Sequence, residues 1–332
     1  MQMKAAVYHG PRDIRVEQVD RPEIGDHDVL VRVKACGICG SDLHMYRLGM
    51  FEVLGRPIDG QRRIMGHELS GEVVEVGRKV GGFNVGDRIT GVGQGGFAEY
   101  VPVPVTERSP HILPGPISFE DGATLEPLAT SLHGVALGQP VAGETVVVLG
   151  AGIIGLGCIQ AIRATADCRI IAVDASERRL EMAASLGADA TVNLTETDSV
   201  EAVIELTGGA RPVERFGVRG GNADLVIDCA GAPTSPNQGL LMLKQQHGRL
   251  VCVALYERPA DLDFNQVVRK HVALYGSWTW TGDDYRRAIE LVERGKVDRQ
   301  PLISHALDLD EAPEGFAIQD QPGAAIKVVL RP

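Results

Sequence analysis

A change of rhythm near residue 140 constrains this chain more than any other feature. From Glu144 to Trp278 short apolar runs alternate with amphipathic stretches: TVVVLG, then IIGLGCIQAIRAT; RIIAVD, then SERRLEMAASLG; ATVN, then SVEAVIEL; DLVIDCAG, then QGLLMLKQQ; and finally RLVCVAL and VALYGSW. Strands alternating with amphipathic helices predict a doubly wound parallel sheet with right-handed crossovers, an α/β architecture suited to a nucleotide.

Upstream, from Met1 to about Phe119, the text is different. Short β-branched runs such as VLVRVKAC, LSGEVVEVG and FAEYVPVP are cut by Gly and Pro, which predicts a β-rich domain with functional loops. After Trp278 the helical stretch DYRRAIELVERGK and the strand-like LISHALDL and AIKVVLR no longer follow the repeat and return to the first domain. The expected division is therefore residues 1–128 with 278–332 as one discontinuous catalytic domain, and 129–277 as an inserted nucleotide domain. The stretch from Thr207 to Asn222, rich in Gly and Arg, reads as a mobile loop.

Size and charge narrow the function. A chain of 332 residues accommodates about two domains. Its net charge of −11 disfavours a phosphate backbone as partner, so nucleic acid is not expected. The N-terminus has no apolar core followed by a small-residue cleavage site, and the longest apolar run, Val146 to Ile162, contains four glycines and is followed by Arg163. Neither a secretory signal nor a membrane span is expected, and the expected location is the cytoplasm. In that setting six cysteines suggest packing, metal or catalysis rather than a disulfide framework. Cys158, Cys168, Cys229 and Cys252 stand in apolar contexts and read as core.

The segment G-A-G-I-I-G places Gly150, Gly152 and Gly155 directly after a predicted strand, with Ile153 and Ile154 opening a predicted helix. The first glycine makes the turn, the second admits a pyrophosphate to the backbone, and the third allows close helix-to-strand packing. The helix N-terminus then offers free amides to the phosphates. Asp174 ends the next strand, 19 residues beyond Gly155, where a carboxylate accepts hydrogen bonds from the adenosine ribose and repels a 2′-phosphate. NAD is the expected cofactor. Arg178 and Arg179 follow closely, and Arg179 is counted among the cofactor-binding residues.

Cys39, His67, Glu68 and Glu126 supply a thiol, an imidazole and two carboxylates, a set suited to an open zinc site better than to calcium or magnesium. Spacing alone leaves open a buried thiol and a satisfied histidine. Context decides between these readings. CGICGSDLH at 36–44, GHELSGEVVEVGRKV at 66–80, VGDRI at 85–89, EPLATSLHGV at 126–135 and VLGAGIIGLG at 148–157 together resemble the zinc-dependent medium-chain alcohol and polyol dehydrogenases, in order and approximate spacing, over nearly the whole chain.

The resemblance implies a GroES-like β-rich catalytic domain interrupted by a Rossmann domain, and a homodimer or homotetramer. It implies Cys39 and His67 as permanent zinc ligands, Glu68 as a residue that ligates zinc or exchanges with water, and Glu126 as a direct ligand or the holder of a zinc-bound water. Ser41 and His44 match a hydroxyl and imidazole proton relay. The implied substrate is a secondary alcohol, diol or polyol, or the matching ketone; amino-alcohol oxidation of the threonine dehydrogenase kind and a non-catalytic NAD-binding protein are the alternatives. Zinc in such a site is a Lewis acid toward the alcohol oxygen.

Two departures from the family pattern stand out. Only Ile89 to Gln94 separate GDR from GGFAEY, and no cysteine occurs between 39 and 158, so the lobe that holds a structural zinc in many members is missing and one zinc per chain is expected. Met45 stands where sorbitol dehydrogenases usually carry tyrosine, and Cys36 matches no ligand position and reads as a packed residue. The segment Arg47 to Arg63 contains four arginines and reads as a solvated basic loop, with a roof over the pocket as the other reading.

Overall fold

The computed structural model describes residues 1–49, 63–213, 218–256 and 258–332. They form two compact units, Met1–Glu126 with Tyr285–Pro332, and Pro127–Asp284. These divisions stand at 126 and 284, against 128 and 277 expected from the sequence, and both fall in the first turns of helices.

In chain order the first unit holds β1 (Gln2–Gly10), β2 (Asp13–Asp20), β3 (Asp28–Gly37), α1 (Gly40–Leu48), β4 (Arg63–Ile64), β5 (Glu68–Val76), β6 (Arg88–Val92), β7 (Tyr100–Pro104), β8 (His111–Ile112) and α2 (Phe119–Gly122). Helix α3 (Leu125–Gly138) begins at its edge. A sheet in the order β17-β18-β3-β5-β6-β8, with β7 also on β3, takes its last strands from the C-terminal segment, β17 (Ile303–Asp308) and β18 (Lys327–Arg331). A second sheet, β2-β1-β4, stands apart from it. The antiparallel register sets Gly37 of β3 beside both Glu68 of β5 and Val329 of β18, so three remote segments meet at one point. The core gathers Val29, Val31, Leu69, Phe97 and Phe316. Strand β2 and helix α1 were not anticipated: IRVEQV alternates but carries little apolar surface, and CGSDLHMYRL lacks a full helical stripe.

The second unit holds β9 (Thr145–Leu149), α4 (Ile153–Thr165), β10 (Arg169–Asp174), α5 (Glu177–Ser185), β11 (Ala190–Asn193), α6 (Ser199–Leu206), β12 (Ala210–Val213), β13 (Val218–Gly220), β14 (Leu225–Asp228), α7 (Ser235–Met242), β15 (Arg249–Cys252), α8 (Phe264–Lys270) and β16 (Ala273–Gly276). Helix α9 (Gly282–Glu293) starts in it, and α10 (Ala312–Asp320) belongs to the first unit. The main sheet is parallel, in the order β11-β10-β9-β14-β15-β16. Order reverses between β9 and β14, the switch point beside which ligands bind in such sheets. Strands β9, β10 and β14 are almost wholly buried, as expected for strands covered on both faces.

Two readings are corrected here. The segment 207–222 forms the antiparallel pair β12 and β13 on either side of residues 214–217, which lie outside the described residues. The helix expected over 238–246 runs from Ser235 to Met242, because Pro236 sets its start and Leu243 leaves the helix to bridge Ala223. Among the described residues, no helix is long and apolar enough to cross a membrane.

Candidate metal and cofactor sites

The donor atoms of Cys39, His67 and Glu68 all lie within 4.8 Å of one another. Cys39 is the N-cap of α1, so its sulfur sits at the positive end of a helix, and Glu68 is the first residue of β5. Asp42, a buried residue that the sequence reading did not single out, ties these two segments together. Its Oδ2 accepts from the Cys39 amide at 3.0 Å and its Oδ1 from the Gly66 amide at 3.3 Å, with His67 Nδ1 3.8 Å away. The hint was its place three residues after the N-cap, the spacing of a capping box. Gly66 has φ +88°, and a Cβ there would press on Phe97 and Cys36, so glycine is required at the turn that delivers His67. The Cys36 sulfur is buried in this packing, in keeping with its expected role.

The pocket is rich in negative charge. Burial alone would lower the His67 pKa, yet Cys39, Asp42 and Glu68 drive it well above the usual imidazole range. A thiol, an imidazole and a carboxylate so close together offer mixed sulfur, nitrogen and oxygen donors of the kind that fit zinc. The residues present therefore fit the expected metal. Glu126 is not part of that group of three; it is the second residue of α3 and partly buried.

Behind Glu68 the structure reveals Lys327. Both side chains are 1% exposed and they form an ion pair, and Lys327 Nζ also donates to the Ile38 carbonyl at 2.8 Å, next to Cys39. Burial opposes the ammonium charge, but Glu68, Cys39 and Glu126 raise the Lys327 pKa. A Cβ at Gly37 would lie 2.5 Å from Glu68 Oε2 and 2.6 Å from Lys327 Cε, so the pair occupies room that only glycine leaves. Its one sequence signal was a lysine inside the apolar run AIKVVLR.

Ser41 and His44 lie one turn apart on α1, both partly exposed, while Leu43, Met45 and Tyr46 turn inward. Met45 is 1% exposed within the core, so it packs rather than presents itself to a ligand. The basic loop falls largely at 50–62, outside the described residues. Arg47 pairs with Asp320 at the end of α10.

In the second unit Gly150 has φ +85°, and a Cβ on Gly155 would lie 1.8 Å from the Gly150 carbonyl oxygen. The turn from β9 into α4 thus closes only with glycine at both positions. Gly152 is the N-cap of α4, with open space where its side chain would be, and Ile153 and Ile154 begin the helix, partly buried. Asp174 is buried at the end of β10; its Oδ2 accepts from the Ala151 amide at 2.7 Å and its Oδ1 from the Ser176 amide at 2.8 Å. A carboxylate offers about four acceptor sites, which leaves capacity for ribose hydroxyls. Arg178 is exposed and Arg179 partly so, both on α5. Cys158 and Cys168 are buried as expected, whereas Cys229 and Cys252 are partly exposed because they stand at the carboxyl ends of β14 and β15.

Residues 25–114 match the family model of the alcohol dehydrogenase GroES-like domain, and residues 154–294 that of the zinc-binding dehydrogenases. The chain is 33% identical to a sorbitol dehydrogenase of Halalkalibacterium halodurans, over 99% of each chain. It superposes on 2R,3R-butanediol dehydrogenase from Bacillus subtilis with a TM-score of 0.84 and 32% identity, covering 99% of each. A zinc-binding dehydrogenase of Sinorhizobium meliloti bound to NADP gives a TM-score of 0.84 at 31% identity, covering 100% of each.

Proposed function

Because the chain belongs to the zinc-dependent medium-chain alcohol and polyol dehydrogenases, acting on CH–OH groups, we propose that it oxidises a secondary alcohol, diol or polyol with NAD, or reduces the matching ketone, using one catalytic zinc per chain. The observation that carries this reading is the convergence of Cys39, His67 and Glu68, whose donor atoms lie within 4.8 Å of one another. When bound, zinc supplies Lewis-acid polarisation and the nicotinamide supplies hydride chemistry. The protein's own residues do the rest. Asp42 fixes both ligand loops, Lys327 neutralises Glu68, and Ser41 with His44 carries the alcohol proton toward solvent along one face of α1. Glu126 completes the set as a direct or water-mediated ligand.

Asp174 supports NAD over NADP, since its buried carboxylate faces a 2′-phosphate with like charge. Homo-oligomerisation is part of the proposal: β16 is one of the two edge strands of the parallel sheet, and Tyr275 and Trp278 beside it are 39% and 62% exposed. An open edge with exposed aromatics is suited to pairing with a second copy. Light scattering on the purified protein tests this, and a monomer overturns it.

The deciding experiment combines metal analysis with a cofactor-reduction screen over diols, sugar alcohols, threonine and simple secondary alcohols, with NAD and NADP in parallel. Zinc near one per chain and turnover of a diol or polyol with NAD are expected. Two tightly held zincs, or turnover of threonine alone, would overturn the reading.

A further inference from the structure

Arg299 is the largest fully buried side chain among the described residues, with no exposed surface. Its Nε donates to Thr124 Oγ1 at 3.2 Å, and that hydroxyl in turn donates to the Asp121 carbonyl at 2.8 Å. Thr124 stands between α2 and α3, two residues before Glu126. Other groups grip the same turn: Ser70 of β5 donates to the Phe119 carbonyl, and Thr90 of β6 donates to the Gly122 carbonyl at 2.7 Å while meeting the Tyr285 hydroxyl at 2.8 Å. Burial pulls the Arg299 guanidinium pKa down to about 10, and the carboxylates of Glu68, Asp121 and Asp298 act against that loss of charge. Burying a guanidinium costs several kcal/mol before any interaction offsets it, so a space-filling role alone is poorly served by arginine.

We propose that Arg299 is a positioning residue of the metal site: it clamps Thr124 at the root of α3, fixing the direction of Glu126, and with Lys327 forms a second buried cation opposite Glu68. This rests on the zinc reading above. The two cations then offset the two carboxylates, so the ligand set keeps its shape without the carboxylates repelling one another.

The test follows zinc loss from the purified holoprotein during dialysis against dipicolinate, together with the absorption spectrum of the cobalt(II)-substituted protein. Arg299→Met should lose zinc roughly tenfold faster and shift the cobalt bands, the scale of supporting-residue effects at metal sites. Arg299→Lys should fall between it and wild type, and Thr124→Val should speed zinc loss several-fold. In a Glu68→Gln background the Arg299→Met effect should shrink, because the charge it balances is gone. Folded variants that keep wild-type zinc retention and an unchanged cobalt spectrum, with only a lower melting temperature, would overturn the proposal. Should Arg299→Met not fold, Thr124→Val decides by the same readouts. A wild-type protein holding no zinc overturns the functional reading and this inference with it, whereas a zinc-loaded wild type with indifferent variants overturns this inference alone.

Discussion

In the nucleotide-binding unit, everything singled out for the cofactor lies between Gly150 and Arg179, and most of it acts through the backbone: a turn closed by glycines, a helix N-terminus and a carboxylate that braces the turn. In the β-rich unit the clustered donors come from residues 39, 67 and 68, with 126 proposed as the fourth, and their supports from 42, 299, 124 and 327. One site is a local shape, and the other is an assembly of side chains brought together by β3, β5 and β18. The two should therefore fail differently, the first by steric damage and the second by loss of chemistry on an intact frame.

The largest contrast comes from Gly155→Val set against Cys39→Ala. With a Cβ 1.8 Å from the Gly150 carbonyl, valine forces the turn open, so NADH binding followed by nicotinamide fluorescence should disappear and the melting temperature fall. Cys39→Ala should keep its melting profile and NADH binding but lose zinc and nearly all activity. Wild-type NADH binding in Gly155→Val would break the comparison.

Next in size is the relay. Ser41→Ala should lower kcat by about 10²-fold while zinc and NADH binding stay near normal, the scale of general acid–base effects. His44→Gln should cost less and regain activity as buffer base is added, because an exposed relay terminus can be replaced from solution. Full turnover in Ser41→Ala removes the relay from α1.

The same contrast explains what was legible in the sequence. Gly150, Gly155 and Asp174 were readable because the steric demands of a turn are written in consecutive residues. The ligand set was readable only through its resemblance to a family, since no spacing rule links Cys39 to Glu126. Asp42, Lys327 and Arg299 stayed unread: a capping-box spacing or a lysine inside an apolar run marks a buried charge only faintly, and its partner is named only when the strands are paired. Strand β2 and helix α1 escaped for a related reason, as their stability comes from neighbours rather than from their own pattern.

A smaller effect tests whether the nucleotide site keeps side-chain specificity alongside its backbone shape. Asp174→Ser removes the charge opposite a 2′-phosphate, with Arg178 and Arg179 nearby on α5. The ratio of kcat/KM for NAD over NADP should fall by about tenfold, equal to ~1.4 kcal/mol of discrimination. Because the same carboxylate braces the Ala151 amide, absolute NAD affinity should fall as well. An unchanged ratio would assign cofactor choice to another residue.

The smallest effect concerns two buried lysines that the units treat in opposite ways. Lys327 faces the Glu68 carboxylate and the Cys39 sulfur and keeps its charge, whereas Lys270, also wholly buried, donates among the described residues to the carbonyls of Leu240, at 2.5 Å, and Leu241, at 3.3 Å, at the end of α7. With neutral partners alone, burial pulls the Lys270 pKa down to about 8. Below that pH both folded and unfolded states carry the proton, so the penalty of the buried charge is fully present. Between about 8 and the ordinary 10.5 the unfolded chain holds a proton that the folded one has released, and stability attributable to this group rises with pH. The slope is at most ~1.4 kcal/mol per pH unit, or about 3–6 °C in melting temperature for a unit of this size. Melting curves from pH 7.5 to 10 should therefore show wild type gaining on Lys270→Met, which keeps the apolar stem and loses the titration. Parallel curves for the two proteins would mean that α7 holds its lysine charged throughout, as the metal site does with Lys327.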